Sequence, residues 1–145
     1  MDIVDWRILA ELQRDARLSQ NEVSRRVNLS APAVAERVRR LTDSGVLRGY
    51  AARVDPQALG RAVQAFVQLD CYGPKCILKD ESVHGWPEVL EVHRVTGDAC
   101  TVLRVAVADM AGFQDVIDRL ARYGKPTSSL VLSSPLPWKP VVPLG

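Results

Sequence analysis

Three arginines, Arg37, Arg39 and Arg40, follow the run of small residues Ser30-Ala31-Pro32-Ala33, and that order suits one kind of chemistry. Small residues let the start of a helix approach base edges, while guanidinium forks match phosphate oxygens or guanine. At roughly 100° per residue, Val34, Val38 and Leu41 mark one buried stripe; Ala33 and Arg40 fall well away from it, as do Glu36 and Arg39 on the far side, with Arg37 at its edge. Arg48 and Arg53 follow within reach of flanking phosphates. The bland alternative is an amphipathic helix whose arginines solvate its outer face, Glu36 pairing with Arg40 four residues on. What precedes and follows the helix decides between them.

The other reactive residues are sparse. Cys71, Cys76 and Cys100 are odd in number, and no pair has the two-residue separation of a metal-binding knuckle. His84 and His93 do not complete such a set, so no metal and no cofactor are expected and the cysteines read as ordinary side chains. Thr96-Gly97-Asp98 reads, by chemistry alone, as a hairpin turn.

The elements that hold the arginines are well punctuated. Ser19 with Glu22 forms a capping box, and Val23 and Val27 give the helix that follows an inward face. Ser30 caps a second helix beginning at about Ala31, with Pro32 in its first turn and Leu29 and Val34 as a hydrophobic staple; Gly45 ends it after Thr42. Asp2 to Arg14 predicts an earlier helix, with Asp2 or Asp5 at its electropositive start and Ile8, Leu9 and Leu12 on one side. Val46 to Val54 predicts two short strands folded at Arg48-Gly49, the wing of a winged helix-turn-helix.

The whole chain has 145 residues, 47% hydrophobic and 25% charged, which calls for packed cores rather than disorder. Its net charge of +2 is uneven: residues 17–53 hold eight arginines against three acids, whereas from residue 61 onward nine basic residues balance nine acidic ones. That local excess is the footprint a polyanion requires, and double-stranded DNA is the expected partner. Asp2 and Asp5 replace the basic start of a signal peptide and no run reaches membrane-spanning length, so a cytoplasmic protein without membrane contact is expected.

After Asp55-Pro56 the pattern changes. Val63, Ala65, Val67, Leu69 and Cys71 alternate with polar residues as a half-buried strand does. Residues 75–84 predict a weak helix, 89–95 and 101–107 two strands, Asp109 caps a helix closed by Gly124, and 127–134 supply a last strand. Strand, helix, strand, strand, helix, strand makes an α+β chain: a winged helix-turn-helix over 1–54, a hinge over 55–61, and a ferredoxin-like βαββαβ domain over 62–134. The uncovered sheet face predicts a homodimer through the sheets. Residues 135–145 hold four of the nine prolines and predict an extended arm anchored by Trp138.

Read in order, Asp5-x-x-Ile8-Leu9-x-x-Leu12, Asp15-Ala16-Arg17, Leu29-Ser30 with Val34, Arg37-Val38-x-Arg40-Leu41, Gly45-Val46-Leu47, Gly49-Tyr50, Asp55, Leu59-Gly60 and Val95-Thr96-Gly97-Asp98 resemble the leucine-responsive/asparagine (Lrp/AsnC, feast/famine) transcription regulators over nearly the whole length. The resemblance implies a DNA reader and a ligand-sensing domain, dimers assembled further into rings such as octamers, and a small effector, typically an amino acid, between dimers. The helix face itself offers DNA contacts from Ser30, Ala31, Ala33 and Glu36, from Arg37 and Arg40 to base edges or phosphates, and from Arg39, Arg48 and Arg53 to the backbone. The resemblance places Thr96, Gly97, Asp98, Ala99 and Cys100 at the effector pocket, where Asp98, or Ser133 and Ser134, can partner an amino-acid ammonium group in place of the carboxylate missing at Cys100. Cys100 stands where such regulators commonly carry an acid. No enzymatic activity is expected. The alternatives are a decarboxylase of an alternative haem pathway, which resembles the same architecture and for which His93-Arg94 is the candidate pair, and a sensor partner that does not itself bind DNA.

Overall fold

The computed structural model describes residues 1–144. It divides into two compact units, Met1–Arg53 joined by the tail from Leu136, and Val54–Pro135.

In the first unit α1 (Ile3–Arg14), α2 (Gln20–Val27) and α3 (Ala31–Asp43) are each started by a side-chain cap. Asp2 Oδ1 accepts the N–H groups of Val4 (2.9 Å) and Asp5 (2.8 Å), and Asp5 Oδ2 accepts that of Asp2 (3.0 Å), a capping box at the start of α1. The expected box of Ser19 and Glu22 opens α2, and Ser30 caps α3 with Pro32 in its first turn. Asn28, in the left-handed region at φ 56°, ends α2 and turns the chain within three residues into the next cap. Ile8, Leu12, Val23, Val27 and Val34 close the core between the three helices. α3 ends at Asp43, one residue later than the sequence suggests, with Ser44 as its cap and the expected Gly45 (φ 73°) following.

The expected wing is different. Val46 and Leu47 form a bend, and residues 46–54 hold no strand: among the described residues no ladder pairs 46–48 with 50–54. The Leu47 N–H folds back onto the Leu41 carbonyl (2.9 Å), which occupies the strand-forming side of this segment with the end of α3. The tail supplies cover here. Gln13 clamps the Val141 backbone through two hydrogen bonds (2.8 and 3.0 Å), and the Arg53 guanidinium lies 3.7 Å from the ring centroid of Trp138, the anchor the sequence pointed to.

The second unit is an antiparallel sheet in the order β2-β3-β1-β4, formed by β1 (Val63–Cys71), β2 (Val89–Arg94), β3 (Thr101–Val107) and β4 (Gly124–Leu130). Ala65, Val67 and Leu69 of β1 and Leu103, Val105 and Val107 of β3 turn one face inward, against Phe113, Val116 and Leu120 of α4 (Met110–Leu120), capped by Asp109. This is the ferredoxin-like order, with two corrections. The helix expected over 75–84 is three short 3₁₀ turns, Gly73–Lys75, Ile77–Lys79 and Glu81–Gly85. Only Ile77 and Val83 of this stretch are fully buried, and Asp80 caps Ser82 between them, so there is no continuous helical stripe to pack. β4 begins three residues before the expected 127, and ends by Leu130 rather than 134. Pro126 is tolerated because β4 is an edge strand, and Gly124 is required: a Cβ there would lie 2.2 Å from the Asp70 carbonyl oxygen.

Candidate nucleic-acid interface and effector element

Burial of Val34 and Leu41 fixes which side of α3 faces out. Ser30 and Pro32 are exposed at its start and Ala31 and Ala33 half-exposed, so the opening turn presents a low, uncharged surface. Further along, Glu36, Arg39 and Arg40 are exposed. Arg39 bridges Glu36 (2.7 Å) and Asp43 (2.9 Å) along the helix surface, and Arg40, 56% exposed, lies 3.7 Å from Asp5. Glu36 thus pairs with Arg39 rather than Arg40.

Arg37 is held elsewhere. Its Nη1 donates to Asp2 Oδ2 and to Asp5 Oδ1, both at 2.7 Å, so its guanidinium straps α3 to the start of α1. The Arg37 hydrogen bond, with the Asp5 N–H behind it, holds the Asp2 carboxyl down at about 2. Burial acts to raise Asp5, but the Asp2 N–H and Arg37 outweigh it and keep that carboxyl below the usual range. The arginine excess is therefore partly quenched inside the unit: Arg17 pairs with Asp15 (3.0 Å) and Arg26 with Glu11 (2.8 Å). Arg25, Arg48 and Arg53 are exposed and carry no ion pair among the described residues. Arg25 was not among the expected contacts, because α2 reads as a supporting helix.

The residues expected at the effector pocket are divided. Thr96, Gly97 and Asp98 form an exposed turn between β2 and β3, with Gly97 at φ 109°, and Ala99 and Cys100 are half-buried. Thr101 pairs across β1 Leu69 with Pro126, at one end of the sheet, whereas Leu130 pairs with Ala65 at the other. Ser133 and Ser134 lie beyond that far end, so one chain does not bring them to the 96–100 turn. The Cys100 thiol points inward: it donates to the Leu69 carbonyl (3.4 Å) and lies 3.6 Å from Cys76 Sγ and 3.3 Å from Thr101 Oγ1.

Cys71 completes a group of three thiols whose sulfurs all lie within 4.8 Å of one another. The sequence spacing hid this, since the three sit on different segments. Burial, with the neighbouring thiols adding to it, pushes Cys71 up to about 12. Burial acts on Cys100 in the same direction, but hydrogen bonds from Cys71, Thr101 and Cys76 outweigh it and bring that thiol down to about 7. His93 and Arg94, the pair that an enzymatic reading needs, are successive residues of β2 that point to opposite faces; His93 contacts Glu91 (3.1 Å). No helix among the described residues is long and apolar enough to cross a membrane.

Comparison with known proteins agrees with both halves. Residues 1–48 match a winged helix-turn-helix DNA-binding model, and residues 64–140 the Lrp/AsnC ligand binding domain. The chain is 40% identical over 134 residues to the HTH-type transcriptional regulator YezC of Bacillus subtilis, covering 92% of this chain and 95% of that protein. Among solved structures it is similar to the transcriptional regulator NMB0573 of Neisseria meningitidis in complex with L-Met, at a TM-score of 0.87, with 33% identity and coverage of 97% and 96%. It is also similar to the feast or famine regulatory protein Rv3291c of M. tuberculosis complexed with L-methionine, at 0.89, with 30% identity and coverage of 98% and 99%. A capped reader helix with an outward arginine face and a ligand-binding sheet domain in one polypeptide make this chain a member of the Lrp/AsnC family of DNA-binding, ligand-responsive transcription regulators.

Proposed function

We propose that this regulator is a homodimer, assembled into a larger ring such as an octamer, that presents pairs of α3 helices to half-sites about one or more helical turns apart on double-stranded DNA. The observation that carries the reading is the split of α3 into a buried Val34/Leu41 stripe and an outer face that starts with small residues and continues into Arg40. Ser30, Ala31 and Ala33 approach base edges; Arg40 and Arg39 contact bases or phosphates with Glu36 between them; Arg48 and Arg53 position the backbone. Arg37 serves the interface from behind, by fixing α3 against Asp2 and Asp5.

The dimer forms through the outer sheet face, where β1 turns out Phe66, 45% exposed. A small effector, an amino acid, binds between dimers and changes the spacing of the readers. The methionine complexes of the two similar regulators support that ligand class. With Cys100 turned inward, Asp98 is the acid available for an ammonium group, and Ser133 and Ser134 join the pocket from another copy. The chain works in the cytoplasm by binding, without turnover.

Selection of genomic fragments bound by the purified protein, with and without a panel of amino acids, tests reader and sensor together. The expected result is a small set of enriched fragments whose recovery shifts with one or a few amino acids. Recovery of no fragment above background contradicts the reader, and enrichment indifferent to every amino acid contradicts the effector class.

A further inference from the structure

We propose that Cys71, Cys76 and Cys100 form a binding site for one thiophilic d¹⁰ metal ion, zinc(II) or copper(I), at the end of the sheet beside the effector turn. This goes beyond the DNA-reading function and does not depend on it.

Three segments converge to make the site. Cys71 ends β1 on the inward face, following Leu69. Cys100 is fixed alongside by its N–H, which donates to the Leu69 carbonyl at 3.1 Å. Cys76 stands between two 3₁₀ turns, set by the burial of Ile77 next to it. Sulfurs around an ion at about 2.3 Å stand roughly 4 Å apart. Here the closest pair is at 3.6 Å and all three lie within 4.8 Å, so an ion can enter with small side-chain rotations. A disulfide needs about 2.05 Å, leaves Cys71 without a role, and makes no use of the convergence of three.

The surroundings favour a soft ion. Among the described residues no carboxylate or imidazole joins the three sulfurs, and an all-thiolate donor set selects zinc or copper(I) over magnesium or calcium. Thr101, fully buried, places Oγ1 3.3 Å from Cys100 Sγ and 3.9 Å from Cys71 Sγ, where it orients both as an outer partner. An open depression lined by Pro74, Lys75, Cys76, Lys79, Asp80 and Tyr123 exposes the Cys76 side to solvent. It provides an entry path and room for a fourth, exogenous ligand on zinc. Binding exchanges thiol protons for the ion: each coordinating S–H releases H⁺ to water, a metal–sulfur bond forms, and neither metal nor sulfur changes oxidation state.

The test uses the full-length protein, reduced and metal-free, titrated separately with zinc(II) and copper(I) against chromogenic competitors. One ion per chain is expected from at least one of the two, with single Cys71→Ser, Cys76→Ser and Cys100→Ser variants weakened at least about a hundredfold and Thr101→Val about tenfold. Because a serine variant can fail to fold, the thiols of the unmodified protein are also counted by alkylation and mass spectrometry, and the bound ion should protect all three. Binding of neither ion, binding that survives the serine substitutions, or appearance of only a Cys76–Cys100 disulfide would overturn the proposal.

Discussion

The helical unit and the sheet unit are each stabilised internally, by interactions of opposite reach. In the first, each helix begins on a cap made within three residues, and charge pairs tie its surface together. In the second, the core depends on strands that pair across dozens of residues, and on a glycine that lets two backbones touch. Substitutions in the head should therefore act through charge and be graded, while those in the sheet should act through packing and be severe.

The largest effect is expected at Gly124. A Gly124→Val side chain must displace the Asp70 backbone of β1, and we expect a loss of roughly 3 kcal/mol in urea unfolding. A loss below about 1 kcal/mol would mean that the edge strand is loosely held. Asp5→Ala should cost about 2 kcal/mol, because it removes a buried partner of Arg37 and half of the α1 capping box. The double variant Asp5→Ala/Arg37→Ala should be less destabilised than the sum of its parts, as measured by a double-mutant cycle.

The same clasp sets a dependence on acid. Asp2 titrates near 2 in the folded protein and near its ordinary 3.8 when unfolded. Its contribution is thus fully present above about pH 4 and is lost as the pH falls toward 2, with Asp5 adding in the same direction. Thermal unfolding followed across that range should show stability falling with pH, and the fall should be shallower in Asp2→Asn. The smallest effect is expected in the tail: Trp138→Ala should lower stability by about 1 kcal/mol or less, since the ring and Arg53 meet at a surface.

Legibility in the sequence follows the same division. Ser19 with Glu22, Ser30 and Gly45 announce α2 and α3 because caps act within a turn, and β1 is visible in its alternation. Residues 75–84 have a composition that suits a helix, while Ile77 and Val83 anchor separate turns. Gly124 and Pro126 resemble strand breakers; only the sheet order shows that an edge strand can hold both. The inward turn of Arg37 depends on Asp2 and Asp5, more than thirty residues away, and the thiol group on three segments joined by the sheet. No local pattern encodes such meetings.

On the proposed reading, the outer face of α3 meets DNA through Arg40 while Arg37 braces the helix from behind. Fluorescence anisotropy on a selected genomic fragment, repeated over a series of salt concentrations, tests it directly. Arg40→Ala should weaken binding about tenfold and reduce the slope of log affinity against log salt by about one unit. Arg37→Met should leave that slope unchanged once the lost stability is allowed for. A slope unaffected by Arg40→Ala but flattened by Arg37→Met would contradict the account.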